Sequence, residues 1–447
     1  MADKEVAVVG AGLVGSLMAV LLAKKEFQVD VFERRPDLRK ATAIGGRSIN
    51  LALSDRGFKA LEMADFADAI RSISIPMYGR KMHDIEENLT DQPYGKEKEA
   101  IYSVSRGELN RKLMNLADDY DSINYRFDHA CEDIDLSKNT ATFNDTNVKQ
   151  KKSYSYDHIF GADGAFSAVR GVLQKTPLFD FSQEYLSHGY KELSFPANAD
   201  GSHCFEKNCL HIWPRGEFMM IALPNLDGSF TVSLFMPLKG KVSFESLNTE
   251  EKVIDFFEKQ FSDALPHLPN LKDDFFENPT SNLVTIRCNP WHFEDKVVLL
   301  GDASHAVVPF YGQGLNAGLE DCTVFFDLFE QNNGDIPSVF KAFSEKQVPN
   351  GNAIADLALY NYIEMRDLSG DADFLLRKKI ERKFSDLYPN QWMPLYSQVT
   401  FSHIPYADAL KAGNQQREIM DQIMEIKNIH ENWDQPKIMD KILALKE

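Results

Sequence analysis

Positive charge is scarce in this chain. Against 67 acidic residues stand 49 lysines and arginines, a formal net charge of −18 over 447 residues. A nucleic-acid binder needs a basic face for phosphates, and an anionic membrane surface calls for a polybasic cluster; neither is supplied. A small anionic substrate would need its own local cation, because the overall field repels it. Cysteine is scarce as well: Cys131, Cys204, Cys209, Cys288 and Cys322, an odd and scattered set. That excludes a disulfide framework, and no Cys or His cluster has zinc spacing, so no metal is expected. Reduced thiols suit a cytoplasmic location. Long uncharged apolar runs are missing too. Residues 6–23 come nearest, but Met1–Glu5 lacks the positive leader of a signal peptide and the run carries three spaced glycines. No membrane span is expected. Low-complexity tails and internal repeats are also absent, and the length points to two or three domains.

What is present begins at the N-terminus. Val6-Ala7-Val8-Val9 reads as a buried parallel strand, followed by Gly10-Ala11-Gly12-Leu13-Val14-Gly15 and a helical apolar pattern from Ser16 to Lys25. Gln28 to Glu33 is a second strand ending in an acid. This is a full βαβ dinucleotide fingerprint. Gly10 permits the turn, Gly12 lets the backbone approach a pyrophosphate, and Gly15 lets the helix pack on the sheet. The helix start offers free N–H groups to the phosphates, Val14 among them. Glu33 is expected to accept from the adenosine ribose hydroxyls, with Arg34 beside it as a further contact. A carboxylate there repels a 2′-phosphate, so this site should hold FAD or NAD and not NADPH.

Later segments bear on that choice. Lys296 to Asp302 reads as a buried strand ending in Gly-Asp, followed by Ala303-Ser304-His305. Pro309-Phe310-Tyr311-Gly312-Gln313-Gly314-Leu315-Asn316 then opens a helix running toward Glu330. Two more stretches are Gly161-Ala162-Asp163-Gly164, continuing to Arg170, and Ser105-Arg106-Gly107-Glu108. There is no second strand–glycine–helix unit. Together these motifs resemble the class A FAD-dependent aromatic hydroxylases, and the resemblance covers nearly the whole chain. It implies bound, non-covalent FAD, with Asp302 on the ribityl chain and Gly312, Gly314, Leu315 and Asn316 near the isoalloxazine. Arg106, Asp163 and Ala52 are implied as further cofactor contacts. NADPH would dock transiently, with O2 as co-substrate. The physics agrees in kind: glycines allow close approach to a flat ring, and a helix N-terminus favours the anionic end of a reduced flavin.

Within that class, several stretches resemble the kynurenine 3-monooxygenase family. They are Gly46 to Ser54, Gly79-Arg80-Lys81-Met82-His83, Gln92-Pro93-Tyr94-Gly95, His188 to Leu193, His211-Ile212-Trp213-Pro214-Arg215, Ala222 to Asn225 and Asn361 to Met365. By position, Arg80, Tyr94, Asn361 and Tyr396 match the residues that hold the substrate carboxylate. Leu223, Phe235, Phe310 and Met365 match the apolar lining around its ring. An amino-acid substrate does need a cation, and arginine offers a two-pronged fork. Only Arg80 of this set is hard to explain as core. Tyr311 departs from the His or Phe of the family and adds a hydroxyl.

The expected fold is α/β. A discontinuous Rossmann-like FAD-binding domain of the aromatic-hydroxylase type spans residues 1–75, 100–180 and 290–335. An inserted mixed β-sheet domain spans 76–99 and 181–289 and covers the substrate, and a helical region spans 336–447. The expected activity is hydroxylation of L-kynurenine to 3-hydroxykynurenine, a step of tryptophan catabolism, through a flavin 4a-hydroperoxide. No acid–base residue is assigned, since the arylamine already activates its ring. Hydroxylation of another aromatic acid stays open, because Arg80 would serve it equally. So does a non-catalytic flavin-fold binding protein, since fold alone does not set function. Oligomeric state, monomer or dimer, is not legible.

Overall fold

The computed structural model describes residues 4–40, 50–95, 99–364 and 371–446. The apolar runs of the N-terminal unit become the middle of a six-stranded sheet. Its order is His292–Phe293, Val297–Leu299, His158–Gly161, Glu5–Val9, Gln28–Phe32 and Ile123–Arg126. All neighbours are parallel except the short His292–Phe293 edge. Val6, Ala7 and Val8 are fully buried, as a parallel strand covered on both faces requires. Helices Leu13–Ala23 and Gly314–Gln331 pack together beside it. The hairpin sheet His129–Asp135, Thr140–Asp145 and Gln150–Ser155 lies against it through the stacked rings of Phe32 and Phe143. A small sheet of Asn50–Leu53, Ile101–Ser105 and Ile75–Met77 stands close by.

The second large sheet has seven strands. In order they are Ser281–Asn289, Asp180–Phe195, Phe230–Pro237, Phe218–Pro224, Cys209–Arg215, Gly79–His83 and Leu89–Pro93. Only Cys209–Arg215 and Gly79–His83 run parallel. Side chains alternate between faces along each strand. Phe230, Val232, Leu234, Met236, Met220 and Trp213 therefore join the core under helices Glu250–Gln260 and Leu271–Glu277. Met219, Ile212 and Phe235 take the opposite face, against Phe310 and the long helix Ile336–Ile363. Arg80 and Met82 share this front face; Lys81 and His83 point to the rear.

The long helix belongs to two cores at once. Val339, Phe340 and Phe343 pack into the nucleotide-sheet core, while Ala353, Ile354, Leu357 and Ala358 pack beside Phe310 and Tyr362. Asp335 caps its start by accepting from the Ser338 amide, as Asp371 caps Ala372–Leu387 through the Phe374 amide. The tail helix Pro436–Lys446 buries Ile438, Met439 and Ile442 against Ile380 and Phe384. Among the described residues, no helix is long and apolar enough to cross a membrane. The parallel nucleotide-binding sheet, mixed sheet and helical C-terminal region match the architecture expected from the motifs.

Candidate flavin and substrate site

Two of the three N-terminal glycines sit where a side chain would collide with backbone. Gly10 has φ +106°, and a Cβ there would lie 2.4 Å from the Ala162 carbonyl oxygen and 2.9 Å from Asp163 Cα. At Gly15 a Cβ would meet the Gly10 carbonyl oxygen at 1.9 Å. Both closures hold the turn shut, and the first seats the Asp163 segment directly against the fingerprint. Gly12 is different: a Cβ there would meet nothing within 4 Å. The space before the helix start is open, and Gly12 caps the helix without any side-chain hydrogen bond. That combination leaves room for an anionic group at the helix start.

Glu33 is 6% exposed at the end of the second strand. Its Oε2 accepts from the Ala11 amide at 3.1 Å, and its Oε1 accepts from Arg35 N at 3.0 Å and Nε at 2.8 Å. Arg35, not the exposed Arg34, steadies this carboxylate. Asp163 accepts from the amides of Ala168 and Val169 with Oδ2 and leaves Oδ1 buried without a partner. Such an orphan in the wall of an open cradle fits a missing polar ligand. Arg170 donates to the carbonyls of Ala165 and Ala303, tying this segment to the Gly301-Asp302 motif.

Val14 welds that second motif to the first. A Cβ at Gly301 would lie 3.0 Å from Val14 Cγ2, and one at Gly318 would lie 2.8 Å from it. The valine side chain is thus wedged between two glycines. Asp302 is open to water yet walled in by protein. Burial pushes its carboxyl up, while the charges of Arg106 and His305 oppose that shift. Below, a buried His305–Asp321 pair at 2.7 Å accepts Gly301 N at 2.8 Å and Gln347 at 2.9 Å. Asn316 is wholly buried and its carboxamide is spent on structure: it donates to Ala52 O and Gly312 O and accepts from Ser54 N. Gly312 turns with φ +69°, and Gly314–Gln331 starts with no side-chain cap. Its first amides are free for a flat, electron-rich ligand edge.

The residues expected around the substrate lie on the front of the seven-stranded sheet. The Arg80 guanidinium sits 4.8 Å over the Tyr396 ring and 5.5 Å over the Tyr94 ring. Tyr94, Tyr396 and Tyr311 form a column, with centroids 5.3 and 5.6 Å apart and planes within 15°. Burial pushes the Tyr94 and Tyr311 hydroxyls well up, keeping them neutral. Arg80 Nε and the Tyr94 hydroxyl are buried without hydrogen-bond partners. Glu364, an acid whose charge reaches Arg80, is taken by Lys378 at 3.3 Å. Phe310 stacks on Tyr362 at 4.2 Å and leans on Phe235 at 5.1 Å, and Asn361 Nδ2 holds the Phe310 carbonyl at 2.7 Å. Leu223 packs with Tyr94, Ala52 and Phe401. Met365 lies outside the described residues, as do residues 46–49 of the Gly46 to Ser54 stretch.

Sequence reasoning missed Arg56, which is 1% exposed. It pairs with Glu320 at 2.6 Å, donates to the carbonyls of Val399, Gln398 and Ile404, and stacks 4.1 Å over Tyr406. Tyr406 in turn donates to Gln313, at the head of the Gly314–Gln331 helix, at 3.1 Å. The C-terminal helices are thereby bolted to the flavin side. No local signal marks Arg56, because every partner is remote in sequence.

A dinucleotide cradle joined to a glycine turn, beside an aromatic slot with an enclosed cation, defines a flavoprotein monooxygenase of the aromatic-hydroxylase class. The family model described as FAD binding domain matches residues 3–335. Kynurenine 3-monooxygenase of Flavobacterium johnsoniae is 50% identical over 99% of this chain and 98% of its own. That of Dictyostelium discoideum is 44% identical over 95% and 94%, and that of Sus scrofa 44% over 93% and 88%. The chain belongs to the kynurenine 3-monooxygenase family. Among solved structures, a 2-methyl-3-hydroxypyridine-5-carboxylic acid oxygenase mutant matches with TM-score 0.67 at 18% identity, over 83% of this chain and 94% of its own. PqsL of P. aeruginosa matches with TM-score 0.65 at 16% identity, over 82% and 97%. These last two speak for the fold alone.

Proposed function

We propose that the protein hydroxylates L-kynurenine on the ring carbon ortho to the aniline nitrogen, giving 3-hydroxykynurenine. Overall, kynurenine, O2, NADPH and a proton become 3-hydroxykynurenine, water and NADP+. Bound FAD supplies the redox and oxygen chemistry. Gly10, Gly12, Gly15, the Val14 amide and Glu33 would hold its adenosine diphosphate half. Asp302, Arg106 and Asp163 would hold the middle, and the amides of Gly314, Leu315 and Asn316 the electron-rich ring edge.

The enclosed Arg80 carries the substrate reading. A permanent cation that no carboxylate among the described residues neutralises, beside an orphaned tyrosine hydroxyl, is arranged to receive an anion with two oxygens. Tyr94 donates to that carboxylate and Tyr396 backs it. Leu223, Phe235 and Phe310 then confine the ring in a dry slot, with Asn361 fixing Phe310. No side chain need remove a ring proton in the slow step, because the arylamine already makes the ring electron-rich. Free cysteines throughout suit a reducing cytoplasm.

The test is a visible spectrum, then NADPH oxidation with and without L-kynurenine and product analysis by mass. A flavin-loaded protein whose NADPH consumption rises with kynurenine and whose product gains one oxygen meets the proposal. Stimulation by a different aromatic acid alone would move the substrate and keep the class.

A further inference from the structure

Two of the stretches singled out in the sequence, Gly79–His83 and His211–Arg215, carry more than the substrate slot uses. Their histidines lie on the rear of the sheet, away from Arg80. His83 and His211 are each 1% exposed. His83 Nδ1 lies 2.7 Å from Asp263 Oδ2, and His83 Nε2 lies 3.0 Å from His211 Nδ1. His211 Nε2 lies 2.8 Å from the Glu206 carbonyl oxygen. Trp213 stacks on His83 at 4.0 Å and donates its indole N–H to Asp263.

Counting hydrogens constrains this relay. The carbonyl oxygen only accepts, and so does an ionised carboxylate. Each outer contact therefore needs an N–H, and the nitrogen–nitrogen contact needs a third. Two neutral imidazoles carry two. The network closes only with one extra proton held among its members. Burial raises the Asp263 carboxyl, but the bonds from His83 and Trp213 outweigh that and hold it low. Burial pushes His211 down to about 4, which disfavours a second proton on that ring. The surrounding charged side chains have partners of their own. Lys81 pairs with Asp91 at 3.0 Å and Glu206 at 2.7 Å, and Arg215 donates to the carbonyls of His83, Asp84 and Gln260. Asp84 binds Asn88, and His267 stands behind Phe205.

The position of the relay gives it a task. The hairpin Gly79–His83 and Leu89–Pro93 is the edge of the sheet and carries both Arg80 and, just beyond it, Tyr94. It joins the other strands through four register pairs, from Cys209↔Gly79 to Ile212↔Met82. A slip of one residue along that seam would turn Arg80 to the rear face. The His83–His211 bond crosses the same seam, and Asp263 ties it to the layer beneath.

We propose that Asp263, His83 and His211 are positioning residues for the carboxylate clamp, pinning the register of the edge hairpin through one shared proton. The proposal rests on the substrate reading of Arg80 given above and adds residues that touch neither substrate nor flavin. It acts on recognition of the carboxylate and leaves the ring slot and the FAD cradle alone.

Calorimetric titration of the FAD-loaded enzyme tests it with two ligands: L-kynurenine, and 2-aminoacetophenone, which keeps the aminophenyl ketone and lacks the carboxylate. His83→Gln and Asp263→Asn should each weaken L-kynurenine about ten- to a hundredfold, the scale of a small misplacement of a binding group. Affinity for 2-aminoacetophenone and FAD content should hold. If His83→Gln does not accumulate as folded protein, the isosteric Asp263→Asn carries the test. Equal weakening of both ligands, or undiminished L-kynurenine binding, overturns the proposal. Arg80→Ala is the reference: if it too leaves L-kynurenine binding intact, the substrate reading itself falls.

Discussion

Replacing Arg80 by methionine should have opposite effects on the empty and the liganded enzyme. In the ligand-free protein the guanidinium lies over two tyrosine rings with Nε buried and unpaired. Withdrawing a charge from water costs several kcal/mol. Two cation–π contacts return about 0.5–2 kcal/mol each. The balance favours methionine, of similar length, by about 1 kcal/mol, a gain on the order of 1–2 °C in Tm for a chain of this size. Binding runs the other way. Charge-assisted bonds to a carboxylate are each worth roughly 1.5–3 kcal/mol, so losing the arginine should weaken L-kynurenine about ten- to several-hundredfold. The assay pairs thermal denaturation of FAD-loaded protein without substrate with calorimetric titration of kynurenine. An Arg80→Met protein that binds kynurenine as tightly as wild type, or that melts well below it when empty, would refute the idea of a cation held in waiting for an anion.

Other consequences can be measured alongside. Asp302→Ala should purify with less FAD, read from the ratio of flavin to protein absorbance; full retention would remove Asp302 from the cofactor site. Arg56→Met leaves Glu320 and three carbonyls without their donor, and breaking a buried pair costs about 3–5 kcal/mol. The loss should appear as a lower urea midpoint and faster proteolysis after residue 390. His211 sets an acid limit. Its folded value is depressed to about 4 by burial, whereas unfolded histidine titrates near 6.5. The unfolded chain then binds more protons, so stability is full above about 6.5 and drains as pH falls toward 4, by up to about 3 kcal/mol. Denaturant midpoints between pH 7 and 4.5 should fall less in His211→Gln than in wild type.

How much of this was legible in the sequence depends on how local the signal is. The strand, the three glycines, the helix and Glu33 lie within one stretch, and the close contacts at Gly10 and Gly15 fit a tight turn and a closely packed helix. Arg34 is expected at the cofactor; that Arg35 folds back on Glu33 was not legible, because a one-residue step after the strand decides which arginine does so. Asn316 was marked for the cofactor by its place at a helix start, but only the fold shows its carboxamide consumed by Ala52, Gly312 and Ser54. His83 and His211 stood inside noted stretches without a task, since their meeting depends on strand order. Arg56 gave no sign, because an arginine among polar neighbours reads as solvated until residues beyond 390 arrive to cover it.

The joints of the cradle bear on how the protein is made. Gly10 is roofed by Ala162, Val14 is clasped by Gly301 and Gly318, and Cys322 reaches the Val14 carbonyl across 308 residues of sequence. A ribosome releasing the first βαβ unit therefore releases something that cannot yet grip its dinucleotide. Closing such distant contacts is slow relative to helix formation. Capture of FAD becomes a late event, after most of the chain has left the exit tunnel, and the apoprotein must survive that interval with an open cleft.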